Sequence, residues 1–191
     1  MAGGKGGMVP TLPDILGANL NVVFVGINPS VYSVEQGHYF ARPTNRFWPA
    51  LSQSRLSASA RSRLSRAELT PEDDLLLLEY GFGFTDVVKI PTPSASDLRG
   101  SDFAEWAPRA RSRIEHFGPK FACFQGVTAL RPFLKYTTEM NVTELSLGRQ
   151  DLRIADTEIF LVPNPSPANA RYRLPDLIVW LDVLATAVES R

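Results

Sequence analysis

Four short runs of β-branched and aromatic residues punctuate the chain: Val22-Val23-Phe24-Val25, a glycine–aromatic alternation from Tyr80 to Val88, Phe121 to Phe124, and Ile159 to Val162. Each is too short for a helix and is bounded by turn residues, so each is predicted to be a buried strand. Between them the apolar spacing turns helical. Pro43 suits the first turn of a helix that carries Phe47 and Trp48 inward. Pro71-Glu72-Asp73-Asp74 opens another, with acids in its first turn and Leu75 to Leu78 as its buried face. Further helices are predicted over Asp102 to His116, with Arg109, Arg111 and Arg113 toward solvent, and over Val127 to Lys135 despite Pro132. Leu177, Ile178, Leu181, Leu184 and Val188 mark a last one over Leu174 to Val188. Strands alternating with helices predict a three-layer α/β/α sandwich around a short, mainly parallel sheet.

The rest of the chain reads as connection. Residues 1–10, rich in glycine, are predicted to be a disordered tail without a signal-peptide core, and 11–191 a single domain. Ser52 to Thr70, with Arg55, Arg61, Arg63 and Arg66, reads as a solvent-side loop containing at most a short helix.

Composition excludes several classes of function. Twenty Lys and Arg balance twenty Asp and Glu, which is not the signature of a bulk electrostatic nucleic-acid binder, so any such contact must come from local clustering. The single cysteine, Cys123, lies in an apolar run and reads as a packing residue in a reducing compartment. Two histidines, His38 and His116, in dissimilar contexts argue against a zinc site. No segment is apolar enough over sufficient length to span a bilayer, and an intracellular protein is expected.

Candidate chemistry concentrates at two turns, Gly26-Ile27-Asn28-Pro29-Ser30 and Pro163-Asn164-Pro165-Ser166-Pro167. Each directly follows an apolar strand, so in a parallel sheet both belong to the same rim, where open α/β sheets place their ligands. Each sets an Asn before a Pro, which restrains the Asn backbone toward extended geometry. Downstream of the first turn, His38-Tyr39-Phe40 and Arg42-Pro43-Thr44-Asn45-Arg46-Phe47-Trp48 supply an aromatic wall. A strand, a polar turn and such a wall suit a pocket for a flat, uncharged ring. The first turn lacks GxGxxG, which argues against a nicotinamide-binding domain.

These segments resemble the uracil-DNA glycosylase superfamily, in its mismatch-specific uracil and thymine DNA glycosylase branch. GINPS matches the first motif of that branch, GHYFARPTNRFW its spacing and aromatics, YGFGFTDVV the middle strand, and DTEIFLVPNPSPANAR the segment of the second motif. The resemblance runs from about residue 20 to the C-terminal helix. It implies a uracil-DNA glycosylase-like fold and a monofunctional enzyme of base excision repair. Such an enzyme hydrolyses the N-glycosidic bond of uracil, with thymine or other modified pyrimidines as further substrates, in mispaired DNA. Neither cofactor nor metal is implied, the partner is double-stranded DNA with a mispaired or damaged pyrimidine, and a monomer is expected.

Residue by residue, the resemblance implies that Asn28 holds the attacking water and that Asn164 stabilises the leaving base. An amide orients water but cannot take a full proton, so slow chemistry is expected. Phe40 matches the aromatic that stacks on the flipped base, and Gly26, Ile27, Pro29, Ser30, Tyr39, Asn45 and Asp86 would line its surroundings. Ser166, Pro167, Ala168, Asn169 and Arg171 would meet DNA. The sequence departs from the family in three places. Ser30 replaces a glycine and is small enough to admit a 5-methyl group. Ala168 stands where relatives carry a larger wedge, so plugging the vacated stack falls to Asn169 or Arg171 or is weak. Asp86 places a carboxylate where relatives have other polar residues.

Plainer roles compete at each position. Asn28 and Asn164 suit turn initiation, Tyr39 core packing, Asn45 a helix cap, and Asp86 a structural hydrogen-bond acceptor. Two rival functions follow from the departures and the neutral charge: a damaged-base-binding protein without turnover, and a nucleoside or nucleotide hydrolase on the same fold.

Overall fold

The computed structural model describes residues 10–138 and 144–191; the expected tail lies, apart from Pro10, outside the described residues. Five strands form one sheet, β1 (Val22–Gly26), β2 (Phe82–Asp86), β3 (Phe121–Gln125), β4 (Gly148–Ile154) and β5 (Thr157–Val162), in the spatial order β2-β1-β3-β5-β4. The first three and β5 run parallel, and β4 is an antiparallel edge paired to β5. Side chains of successive residues leave a strand on opposite faces, and the sheet core divides accordingly. Val22, Phe24, Phe84, Cys123 and Phe160 pack with Phe47, Leu51, Leu181 and Leu184 of α2 (Phe47–Gln53) and α6 (Leu174–Glu189). Val23, Val25, Phe124 and Leu161 pack with Ala110, Ile114, Leu130 and Phe133 of α4 (Gly100–Phe117) and α5 (Val127–Thr137). The sheet is therefore the middle of three layers, as the alternation of strands and helices predicts.

Four local expectations need correction. The strand β4 has no apolar run; its pattern alternates exposed Arg149, Asp151 and Arg153 with less exposed Gln150 and Leu152 and buried Ile154, and an edge strand needs only one covered face. A short helix, α1 (Val31–Gln36), follows the first turn at once, started by Ser30 and closed by Gly37 in the left-handed region at φ 77°. The helix expected at Pro43 begins instead at Phe47: Asn45 N–H closes a turn on the Arg42 carbonyl, and the Asn45 side chain then accepts from Phe47 N–H at 2.9 Å. The Pro71 segment is two 3-10 turns, Pro71–Asp73 and Leu76–Tyr80, rather than one helix. Leu77 is buried there, but Leu75 and Leu76 face solvent.

Buried acids explain that last break. Asp74 turns inward to accept from the backbone N–H of Tyr39 (3.0 Å) and of Leu75 (2.7 Å), with His38 Nδ1 at 3.2 Å. A side chain that serves another segment's backbone in this way competes with regular helix. The supposed solvent loop from Ser52 to Thr70 is likewise more structured than expected. It contains α3 (Ala58–Leu64), buries Ser52, Ser54 and Ser57, and is tied to α6 through Arg55, whose backbone N–H and side chain both bond Asp182.

Candidate active site

The parallel register brings the two polar turns to one rim. Gly26 is level with Asp86 on β2, and Gln125 with Val162 on β5, so the segments leaving β1 and β5 flank the end of β3. Asn28 is fixed there by both amide hydrogens. Its Nδ2 donates at 2.8 Å to the Ile90 carbonyl and at 2.8 Å to Thr92 Oγ1, which in turn donates to Ser94 O. A backbone carbonyl only accepts, so this contact also decides which end of the amide is nitrogen. The Asn28 carbonyl oxygen is left as the open acceptor of an immobilised side chain.

Phe40 sets its ring over Gly26, two residues before Asn28. Its backbone sits in the left-handed region at φ 53°, rare for a residue with a side chain, and its ring packs at 4.4 Å from that of Phe47. Gly26 is required beneath that ring: a β-carbon at residue 26 would lie 2.3 Å from Asp86 Oδ1 and 3.5 Å from Phe40 Cε1. Absence of a side chain on β1 thus lets a carboxyl from β2 and an aromatic ring approach the same point.

Asp86 is the least expected part of this geometry. It is 2% exposed, and its Oδ2 has no hydrogen-bond partner. Burial pushes its pKa up to about 7, opposed by Lys89, whose Nζ lies 3.9 Å from Oδ2, assisted by Asp14 and opposed again by Arg113. Lys89 is itself buried, donating to Asp14 Oδ1 at 2.9 Å and to the Tyr39 hydroxyl at 3.0 Å, and Arg113 pairs with Asp14 Oδ2 at 3.1 Å. Arg113 also donates to the Asp86 carbonyl at 2.9 Å, so it faces the sheet rather than solvent, contrary to expectation. Arg109 does lie on the outer side of α4, paired with Glu105, whereas Arg111, paired with Glu115, is half-buried and donates to Thr137 O of α5 at 3.0 Å.

The other expected site residues fall into place unevenly. Tyr39 is a core residue, stacked at 5.5 Å on Phe84 with its hydroxyl donating to Pro13 O; desolvation and then Asp86 hold its pKa well above the usual tyrosine value. Pro29 is buried, and its carbonyl accepts from Thr92 N–H. Ile27 anchors Val88 through its carbonyl. Ser30 is engaged as the cap of α1, its Oγ accepting from Ser33 N–H at 3.0 Å. Replacing Ser30 by Ala should therefore cost about 1 kcal/mol of stability in denaturant unfolding while leaving the preference between uracil and thymine unchanged. Asn45 faces a separate cleft of about 530 Å³ shared with His38, Arg42 and Trp48, while its carbonyl caps α2.

In the second turn, Asn164 Oδ1 accepts from Ser166 N–H at 2.9 Å, and Nδ2 makes only a long 3.4 Å contact with Thr128 Oγ1. Gly126, at φ 101°, makes room for it, since a β-carbon there would lie 2.7 Å from that of Asn164. Ser166 Oγ accepts from Ala168 N–H. The side chain of Asn169 donates to Asn164 O at 2.9 Å, so it braces the loop instead of projecting from it. Pro167, Ala168, Ala170 and Arg171 are exposed, with Arg171 over the Tyr172 ring. Sequence reasoning missed Thr92, Asp14 and Arg46. Only Arg46 carried a signal, standing inside the quoted RPTNRFW string.

Residues 13–183 match the family profile of the Uracil DNA glycosylase superfamily. The chain belongs to that superfamily. The solution structure of a Methanosarcina acetivorans protein designated a candidate uracil DNA glycosylase is similar in fold, with a TM-score of 0.57 and 18% identity over 94% of this chain and 97% of that one. For this superfamily member, no group of three or more His, Cys, Asp or Glu side chains among the described residues could hold a metal ion. No helix among them is long and apolar enough to cross a membrane.

Proposed function

We propose that this superfamily member is a monofunctional glycosylase that hydrolyses the bond between a mispaired pyrimidine and its deoxyribose, with uracil opposite guanine as its main substrate. The observation that carries the reading is Asn28, whose two N–H groups are spent on Ile90 and Thr92 and whose remaining oxygen is an acceptor for one water. In this reading the flipped base lies on Phe40, and the water held by Asn28 attacks the sugar carbon as the glycosidic bond breaks. Asn164 then offers its free Nδ2 hydrogen to the leaving base anion. The products are free base and an abasic sugar that keeps its strand intact, because no amine serves as nucleophile. Lys89, the nearest one, is buried and committed to Asp14 and Tyr39.

Asp86 is covered in the free protein, so a role toward the polar edge of the base requires that base entry uncover its carboxyl. A protonated carboxyl offers one donor and one acceptor side by side, the complement of the O4 acceptor and N3–H donor of uracil. An ionised carboxylate offers acceptors alone and would oppose O4. The capping role of Ser30 keeps its hydroxyl engaged and leaves space near the ring's 5-position, which favours acceptance of thymine as well. Extrusion of the base costs a few kcal/mol, least at a mismatch, and the loop around Pro167, Ala168 and Arg171 would meet the duplex there.

Single-turnover release of base from duplexes carrying G·U, A·U and G·T, with single-stranded uracil DNA alongside, tests the proposal. Release from G·U exceeding that from A·U is expected, with slower release from G·T. Binding to G·U without any base release would reject hydrolysis in favour of a damage-binding protein, and cleavage of free nucleosides alone would reject DNA as substrate.

A further inference from the structure

Arg46 stands at the N-terminal boundary of α2, immediately after the wall that carries Phe40 and Asn45, and its guanidinium is surrounded by the second turn. Nε donates to Pro165 O at 3.2 Å, Nη1 to Tyr172 O, and Nη2 to both Ser166 O and Asn169 O, the last at 2.9 Å. Its backbone N–H adds a bond to Pro165 O at 3.1 Å. None of the salt bridges among the described residues involves Arg46, so these four carbonyls are what its charge meets.

Four carbonyl oxygens from one loop do not converge unaided, because their dipoles repel. A planar fork of donors carrying a full charge satisfies them together, which a lysine ammonium with three donors does less well. The loop's other hydrogen bonds are internal, among Asn164, Ser166, Ala168 and Asn169, apart from the long contact of Asn164 with Thr128. The loop forms no helix or strand, and Pro167, Ala168, Ala170 and Arg171 are exposed. The other end of the clamp is firm, since Phe47 and Trp48 beside Arg46 are buried in the core.

We propose that Arg46 is a positioning residue: it locks the loop of residues 163–172 against the Phe40 wall, so that the loop is already shaped to replace an extruded base in a duplex. This rests on the glycosylase reading. Its chemical content is preorganisation, in which the ordering of the loop is completed before DNA arrives and is not charged against binding or flipping. A single-stranded substrate has no stack to refill and needs little of this.

The experiment compares Arg46→Ala and Arg46→Lys with the unaltered protein in single-turnover release from G·U duplex and from single-stranded uracil DNA, together with amide hydrogen exchange over residues 164–172 in free protein. Arg46→Ala should slow duplex release by about tenfold or more, with less than about threefold change on the single strand, and should speed exchange in the loop but not in β1 or β3. Arg46→Lys should restore little, whereas added methylguanidinium should restore part of the duplex rate in Arg46→Ala. Equal loss on both substrates, or unchanged loop exchange, overturns the proposal. Should the unaltered protein release no base from either DNA, the glycosylase reading falls by itself; the exchange measurement still decides the clamp, since it requires no turnover.

Discussion

Asn28→Ala is expected to lower single-turnover base release from a G·U duplex by about 10²–10³-fold while duplex affinity stays within about threefold, because it removes an oriented water and little of the binding surface. The measurement is release under saturating enzyme beside a direct binding titration. Full activity in Asn28→Ala would remove the water-holding role and move attention to Asp86. Asn28→Asp is expected to be impaired as well, although it supplies a carboxylate. The Ile90 carbonyl, 2.8 Å from the Asn28 amide nitrogen, can only accept, so a carboxylate oxygen placed there meets another acceptor. The asparagine is thus demanded by what stands behind it, independently of what it does toward substrate.

The second large effect is expected at Asp86, in stability and in pH dependence. Its pKa is raised in the folded protein to about 7 from the ordinary 3.8, so between those values the folded state holds a proton that the unfolded chain has released. Stability must then fall as pH rises through this window, by up to roughly 4 kcal/mol for three pKa units at 1.36 kcal/mol each. Asp86→Asn removes the titration while keeping shape and polarity. Denaturant unfolding should show it more stable than the parent at pH 8, by about 1–3 kcal/mol, and nearly equal near pH 4. Equal stability differences at both pH values would mean that Asp86 does not titrate in this range.

Catalysis should carry the same signature. If the neutral carboxyl reads the uracil edge, release by the parent protein should decline as pH rises through about 7, and Asp86→Asn, which presents an amide donor and acceptor at all pH values, should flatten that decline. A variant whose profile still bends at the same pH would place the titrating group elsewhere.

Local pattern alone was enough for the four parallel strands, the longer helices α4, α5 and α6, and the meeting of the two Asn-Pro turns. A buried strand must be apolar over its few residues, and strands alternating with helices must run parallel, so the turns after β1 and β5 had to share a rim. The aromatic string from Tyr39 to Trp48 was legible as a wall for the same reason, since so many large rings require burial. The edge strand β4, the short α1 and the inward turn of Asp74 were not legible. None of them shows as an apolar period: β4 is the half-polar edge of a hairpin with β5, α1 is a helix of six residues held by the Ser30 cap, and Asp74 turns inward to the Tyr39 backbone 35 residues away.

At the site, identity of the chemical groups was fixed by sequence and their state by packing. Asn28 was a candidate from its motif, but which of its atoms remains open follows from Ile90 and Thr92, 62 and 64 residues away. Asp86 was visible as an extra acid; its burial beside Gly26, and the desolvation that raises its pKa with Asp14 and against Lys89 and Arg113, exist only in the fold. Arg46 stood in the sequence only as part of the Arg42–Trp48 string, and only the folded loop reveals that its charge faces four carbonyls. Hydrophobic periodicity is a short-range property that one stretch of chain expresses alone. Electrostatic environment and hydrogen-bond assignment belong to pairs and clusters of residues, and exist only once tertiary packing has removed water from between them.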